Sequence, residues 1–449
     1  MTRTAERDLS GWGRYPVRSS SLRRPERYKE LPAASGHGII ARGQGRAYGD
    51  AAIADEVVLT ERLDRFLSFD TVSGVIRAEA GATLAELLEI SVPAGWFPST
   101  TPGTRFVSLG GCVAADVHGK SHHVDGAFSN SVCEIELLLA DGSRLRCSPE
   151  LEAEAFWATA GGMGLTGIIG EVEMQLRPIE TSLIRARHFR ATNLEESFRM
   201  LSDTEHDAPY TVAWLDVMRR GRGMGRGVVM IGDHARRDEL PKGVAPLALP
   251  RHTGRRVPLD MPGWMLNPFT IHAFNTLYYQ VAGRRNRPFL TDYEPFFYPL
   301  DAIFDWNRLY GRRGFVQYQC VWPTETAFDG CKALLEALLG SGHNAFLNVL
   351  KRFGPGNPAP LSFPMAGYTL AMDLPVTGPA LLAQLDRFDD LVLRHGGRVY
   401  LAKDARLGPE TFRAMYPRLP EWQKTQRRLD PDGRFQSDLS RRLGMTEAR

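Results

Sequence analysis

Four side chains able to hold or move a proton, His118, Lys120, His122 and His123, close a run that begins at Pro102 and is otherwise rich in small residues. Gly103, Gly110, Gly111, Ala114 and Ala115 fall within it. Residues this small let backbone N–H groups reach a ligand that a larger side chain would hold off. The pattern points to a large, flat, phosphate-bearing cofactor with a His/Lys cluster beside it. As metal ligands the three histidines lack an acidic or thiolate partner at supporting spacing, and structural histidines are the commoner outcome for such a cluster. Lys403, within Tyr400-Leu-Ala-Lys403-Asp404, has nothing in its spacing to set it apart from an exposed surface lysine.

Two further glycine motifs bear on the same chemistry. Arg42-Gly-Gln-Gly-Arg-Ala-Tyr-Gly-Asp50 follows the apolar pair Ile39-Ile40. It reads either as a nest for a pyrophosphate or as a tight loop between strands. Its glycines, spaced G-x-G-x-x-x-G, do not form the dinucleotide fingerprint. Gly162-Met-Gly-Leu-Thr-Gly167 does match G-x-G-x-x-G, but the fingerprint needs a strand before it and a helix after it. Here the order is reversed, so the motif is expected to turn a helix into a strand against a ligand.

The elements that must position these groups are legible from periodicity. Alternation predicts a strand at 75–80, after which Gly81 leads into a helix carrying Leu84, Leu87 and Leu88. Strands at 133–140 and 143–147 are joined by Asp141-Gly142, a hairpin signal. Ser148-Pro149 is expected to cap a helix running through Phe156 and Trp157 to Gly161-Gly162, before a strand at 168–176. Thr192-x-x-Glu195 predicts a capped helix at about 193–203. Strands follow at 210–217, 227–231, 315–321, 345–351 and 368–374, with helices at 325–339 and 378–395. In 315–321 both Gln317 and Gln319 share one face, while Val316, Tyr318 and Cys320 share the other. The economical arrangement is an antiparallel sheet with helices on one face and a polar patch on the opposite one.

Bulk properties narrow the class. The 449 residues are 43% hydrophobic and 24% charged with a net charge of +3, ordinary for a globular protein with a sizeable core. Residues 217–290 hold thirteen Lys/Arg against Asp233, Asp238, Glu239 and Asp260, interleaved with Leu266, Phe269, Tyr278 and Tyr279. That segment reads either as a solvated surface or as a contact for anionic headgroups or a lipid-linked phosphate. Nucleic acid is not expected, because no stacking motif or recognition helix accompanies the charge. The odd count of five cysteines, without metal or redox spacing, predicts reduced core residues. No apolar run reaches the ~18–20 residues of a membrane span, and no signal peptide is recognised. The expected location is cytoplasmic or peripheral at the inner membrane, with its periplasmic face still open.

The motifs together resemble the vanillyl-alcohol-oxidase type of FAD flavoenzyme, and more closely the decaprenylphosphoryl-β-D-ribose 2′-oxidase family. The resemblance runs through Gly11-Trp-Gly13, the 41–50 loop, Pro102-Gly-Thr-Arg105 and His118-Gly-Lys-Ser-His-His123. It continues through Gly164-Leu-Thr-Gly-Ile-Ile169, Gln317-Tyr-Gln319, Pro360-Leu-Ser-Phe-Pro364 and Ala402-Lys-Asp404. It implies an α+β, two-subdomain FAD-binding (PCMH-type) fold formed by 1–181 and 398–449, with a substrate domain on an antiparallel sheet inserted at 182–397. The implied FAD contacts are Ala41, Arg42, Gly43, Gln44, Gly45, Arg46, Ala47, Tyr48, Gly49, Asp50 and Ala51. They extend to Gly103, Ser108, Leu109, Gly110, Gly111, Ala115, Asp116, Val117, His118, Ile169 and Tyr400. Many related sugar oxidases tether flavin through a histidine of a Gly-x-Gly-His loop. Arg46 stands there in this chain, so noncovalent FAD is expected, and no metal.

The resemblance also implies a reaction: hydride transfer from a sugar C2′ to flavin, leaving a 2′-ketone on a polyprenyl-phosphate pentose. A short-chain reductase partner would then complete epimerisation from the ribose to the arabinose form, for cell-wall arabinan synthesis. Lys403 and His118 carry over to positions beside the isoalloxazine, with Tyr48, Lys120, Gln319 and Lys351 around the pocket. Val212, Thr369 and Ala371 depart from the family's usual serine, asparagine and cysteine. A soluble alditol or aldonolactone oxidase is a second reading, weighed down by the missing tether histidine. A non-catalytic, flavin-holding lipid or partner module is a third, opposed by the retained Lys403, His118 and Gln319.

Overall fold

Strand alternation lays down the element around which the rest is arranged. In the computed structural model, which describes residues 5–31, 36, 38–203, 208–250 and 254–446, eight strands form one antiparallel sheet. Their order is Phe289–Asp292, Leu183–Ala191, Arg226–His234, Tyr210–Asp216, Asn348–Phe353, Gly367–Pro375, Phe315–Pro323 and Arg398–Val399. One face carries Ala213, Leu215, Val229, Ile231, Leu350, Leu370, Met372, Val316, Tyr318 and Cys320, all buried in a single core. The helices Leu194–Asp203, Ala327–Ser341 and Pro379–Arg394 close over it with Phe198, Leu334, Leu338, Leu385 and Phe388. Burying side chains of this size contributes roughly 1.5–3 kcal/mol each. The intervening positions, Val212, Trp214, Met230, Val349, Lys351, Thr369, Ala371, Asp373, Gln317 and Gln319, face the other way into a cleft. Gln317 pairs with Asp373, Gln319 with Ala371 and Lys351 with Thr369, so the register decides which polar groups meet.

Two smaller sheets stand across the cleft. One joins Ala5–Ser10, Val17–Arg23, Glu56–Leu59 and Ile39–Arg42, and the other Phe66–Asp70, Val75–Glu79, Ile168–Gln175, Val132–Leu138 and Arg144–Cys147. The expected hairpin is present: Gly142 has a φ of +87° and the Asp141 carboxylate accepts from the Ser143 N–H at 2.8 Å. The chain's end returns to this half. Phe435 bridges Ile39, the Trp422 indole donates to the Ala158 carbonyl at 2.8 Å, and Arg442 pairs with Asp50 and Asp404.

Three local expectations are corrected. The helix expected after Ser148-Pro149 starts at Ala153, because the Ser148 hydroxyl accepts instead from the N–H groups of Glu150 and Leu151 and closes a turn. The cap of Leu194–Asp203 is shifted by one residue: Asn193 accepts from Glu196 N–H at 2.8 Å, and Glu196 rather than Glu195 reaches back to Thr192. The basic segment 217–290 is not one solvated surface, since it supplies the central strand Arg226–His234 and the helix Pro268–Ala282. All five cysteines are free, and four are buried. The turn at 162–167 does lead from the helix Ala153–Thr159 into the strand Ile168–Gln175.

Candidate active site

The run of small residues forms one wall of the cleft because its large members turn away. In the short helix Leu109–Ala114, Leu109, Cys112 and Val113 are fully buried, leaving Gly110, Gly111 and Ala114 along a cavity of about 570 Å³. Ser108 caps this helix by accepting from Gly111 N–H at 3.3 Å. The 41–51 loop forms the rim. Trp12 N–H donates to Ala47 O at 2.7 Å and Tyr48 N–H to Ala402 O at 2.9 Å, tying this loop to both chain ends. The Arg46 guanidinium lies 3.9 Å over the Trp12 ring, and its buried Nε has no partner. A methyl built on Gly103 would meet nothing within 4 Å. A long, thin-walled, cation-rimmed cavity of this kind fits FAD: the small residues admit a flat ring system, and Arg46 offers a donor to a phosphate.

At the far side a chain of hydrogen bonds fixes the state of His118. Thr369 Oγ1 donates to Cys320 O at 2.8 Å, so toward Gln319 it must accept. Gln319 Nε2 therefore donates one proton to Thr369, at 3.1 Å, and its other to His118 Nε2, at 2.9 Å. His118 Nε2 is then an acceptor, which puts the imidazole's proton on Nδ1. Burial, with Lys351, His122 and Lys403 nearby, holds the ring well below its usual pKa, in keeping with a neutral imidazole. Replacing Thr369 by Val removes the acceptor that orients the Gln319 amide. We expect sugar-dependent flavin bleaching to slow by roughly 10-fold while FAD affinity holds, at about 1.5 kcal/mol for one misplaced hydrogen bond. Stopped-flow measurement on wild type and Thr369→Val checks this.

Lys403 lies in the turn four positions after the last strand of the sheet, Arg398–Val399. Its Nζ lies 3.7 Å over the Tyr48 ring. Burial lowers its pKa from 10.5 to about 7; Asp373 opposes that shift and Lys351 adds to it. Asp373 is fully buried, accepts from Gln317 Nε2 at 2.5 Å and from Tyr310 OH at 3.2 Å, and is pushed up to about 7 by burial. Lys351 and Lys120 also line the cleft, lowered by burial to about 8 and about 7. The Lys120 ammonium donates to the Phe296 carbonyl and sits 4.3 Å over that ring. Three half-buried amines in one cleft make a site for an anion.

The structure brings the six expected catalytic residues to this cleft: Lys403, His118, Tyr48, Gln319, Lys120 and Lys351. Five expected cofactor contacts are not on its surface. Arg42 donates to the carbonyls of Ser10 and Ala52 behind the loop, and Gly49 is pressed against Asp404 O. Asp50 is held by Arg442, and Leu109 is in the core. Asp116 is fully buried and accepts from Ser129 N–H, Asn357 and Ser362, fastening the wall to a distant loop. His122 and His123 hydrogen-bond the backbones of Gly354 and Ala208, and no cluster of three metal-ligating side chains occurs among the described residues. Neither Asp373, which lies among apolar neighbours in 368–374, nor Tyr310 was among the expected site residues; the register that sets Asp373 opposite Gln317 brings the first into the cleft.

Comparison with known proteins agrees with this geometry. The model of the FAD binding domain family matches residues 29–148, and that of the D-arabinono-1,4-lactone oxidase family matches 377–443. A decaprenylphosphoryl-β-D-ribose oxidase of Mycolicibacterium smegmatis is 38% identical, over 98% of both chains. An uncharacterised protein of Streptomyces coelicolor is 36% identical over 81% of this chain and its own full length. A cytokinin dehydrogenase of Oryza sativa is similar over 41% of this chain and 36% of its own, at 25% identity.

Proposed function

Because the chain belongs to the decaprenylphosphoryl-β-D-ribose oxidase family of FAD-dependent oxidoreductases, we propose that it oxidises the 2′-hydroxyl of a polyprenyl-phosphate-linked ribose to the 2′-ketone. In this reading 1–181 and 398–449 hold the flavin, and 182–397 holds the substrate. The observation that carries it is a gradient of polarity across the cleft face of the sheet. Gln317, Gln319, Thr369 and Asp373 lie on the strands beside Lys403, whereas Val212, Trp214 and Met230 lie on strands farther across. Phe274 and Tyr278 extend the apolar end. One end suits a hydroxylated sugar, the other a prenyl tail, and Lys351 and Lys120 suit the phosphate.

Bound FAD would supply the two-electron acceptor. Gln319 and the neutral His118 orient the sugar hydroxyl, Lys403 Nζ places positive charge where negative charge develops, and the hydroxyl proton leaves through the cleft to solvent as the hydride leaves C2′. Tyr48 holds that ammonium through its ring face. The small-residue wall excludes water from the reacting carbon. The 2′-ketone then requires a reductase, for which a short-chain dehydrogenase partner is proposed.

The decisive experiment is anaerobic. Prenylphosphoryl ribose should bleach the flavin, whereas free alditols should not. Bleaching by alditols alone would move the assignment to a soluble sugar oxidase, and no bleaching by any sugar would leave a flavin-holding module. The tether is tested separately: with Arg46 at the position of the linking histidine, acid precipitation should release all flavin into the supernatant and leave a colourless pellet.

A further inference from the structure

We infer that the helix Pro268–Ala282, with the arginines that follow it, is a docking face for an anionic lipid bilayer. This deepens the proposed reaction, and rests on it only for the substrate's lipid tail. The helix has two apolar sides. On the inner one Ile271, Tyr279 and Ala282 are buried, and Asn275 donates to buried Asp216 at 2.8 Å. On the outer one Phe269, Ala273, Leu277 and Val281 recur every four residues and form one stripe. Phe269 is 81% exposed, Leu277 65% and Val281 54%.

A water-facing helix ordinarily turns charged residues outward. This one carries no Asp, Glu, Lys or Arg, and residues 261–291 contain no acid at all. Immediately after it come Arg284, Arg285 and Arg287, all exposed. Their loop is held by Arg187, which donates to Asn286 O at 2.9 Å, and the last turn of the helix by Arg190, which donates to Gln280 O at 2.7 Å. An apolar stripe flanked by arginines that form no ion pair among the described residues matches a bilayer interface, where apolar side chains enter the acyl boundary and guanidinium groups meet lipid phosphates. No helix among the described residues is long and apolar enough to cross a membrane, so the contact lies in the plane of the surface. Phe274 and Tyr278 of the same helix border the cleft's apolar end. Docking there would deliver a prenyl tail from the bilayer with little exposure to water.

The test is flotation of the full-length holoenzyme with vesicles of phosphatidylcholine alone or mixed with phosphatidylglycerol. The wild type should float with the mixed vesicles and hardly with phosphatidylcholine. The double variant Phe269→Ser/Leu277→Ser, and separately the triple variant Arg284→Ser/Arg285→Ser/Arg287→Ser, should each lose roughly tenfold or more of that partition. Their flavin spectra, thermal midpoints and vesicle-free bleaching by a short, water-soluble prenylphosphoryl ribose should stay those of wild type. Equal flotation on both lipids, no flotation, or variants that float like wild type would overturn the inference. So would sedimentation showing that the serine variants convert a dimer to a monomer, which would assign the stripe to a second copy. Failure of any sugar to bleach flavin would instead defeat the reaction and leave the flotation result standing.

Discussion

Lys403→Met should bind FAD with an ordinary oxidised spectrum and lose about 10²–10⁴-fold in sugar-dependent bleaching, the range for removing a positioned acid–base or charge-holding group. Methionine keeps the length and apolar stem that pack on Tyr48 while removing the ammonium. The wild-type rate should fall as pH rises through about 7, because burial sets the Lys403 pKa there and the charged form is present only below it. The variant's profile should lose that inflection; a rate rising through the same range would make the amine a base instead. Stability carries the matching sign. Between about pH 7 and 10.5 the unfolded chain binds a proton that folded Lys403 has already given up, so stability rises with pH in that window. Lys120 and Lys351 act in the same direction. Thermal unfolding of flavin-free wild type should therefore move upward from about pH 7 to 8, and less so in Lys403→Met; at higher pH the buried thiols of Cys112, Cys147, Cys320 and Cys331, all pushed up by burial, act in the opposite direction.

Gly49→Ala should yield a poorly folding, colourless protein, whereas Gly103→Ala should fold normally and merely hold FAD less well. A methyl on Gly49 would stand 1.7 Å from Asp404 O, driving the rim loop off the segment that carries Lys403. Overpacking of this kind costs about 1–3 kcal/mol and often more against backbone. At Gly103, which lines the cleft, the same methyl meets no protein atom within 4 Å. Loss of flavin affinity by roughly tenfold, with an unchanged melting temperature of the flavin-free protein, is expected there. Flavin titration and thermal melts of both variants check the contrast. Equal melting losses would show that Gly103 is structural as well.

Much of this architecture was readable from local signals. Period-two alternation at 315–321 already separated Gln317 and Gln319 from Val316, Tyr318 and Cys320, and the structure puts those two sets on the cleft and core faces. Asp141-Gly142 announced its hairpin. What stayed hidden depends on pairing between distant strands. Thr369 matters because register brings it within reach of Gln319, and Asp373 because Tyr310 approaches from a short helical turn sixty-three positions earlier. Caps were misplaced by a residue or more because Ser, Thr and Asn compete for neighbouring N–H groups, and the sequence does not rank them. Asp116 was expected as a cofactor contact from the family resemblance, which does not show where its side chain bonds. Its partners Asn357 and Ser362 are more than two hundred positions away.

The last strand of the large sheet, Arg398–Val399, ends four positions before Lys403. Tyr400 N–H donates to Gln319 O at 2.9 Å, and Lys403 N–H donates back to Tyr400 O at 3.0 Å. Gln319 and Lys403 are thus joined by two short main-chain links, whereas Val212 and Met230 are several strands away. The layout separates two kinds of change. Substitutions on these interior strands can reshape which tail is accepted without disturbing the spacing of the groups proposed to act on the sugar. A new substrate range could then arise by altering the interior of the sheet alone, with the edge beside Lys403 inherited intact.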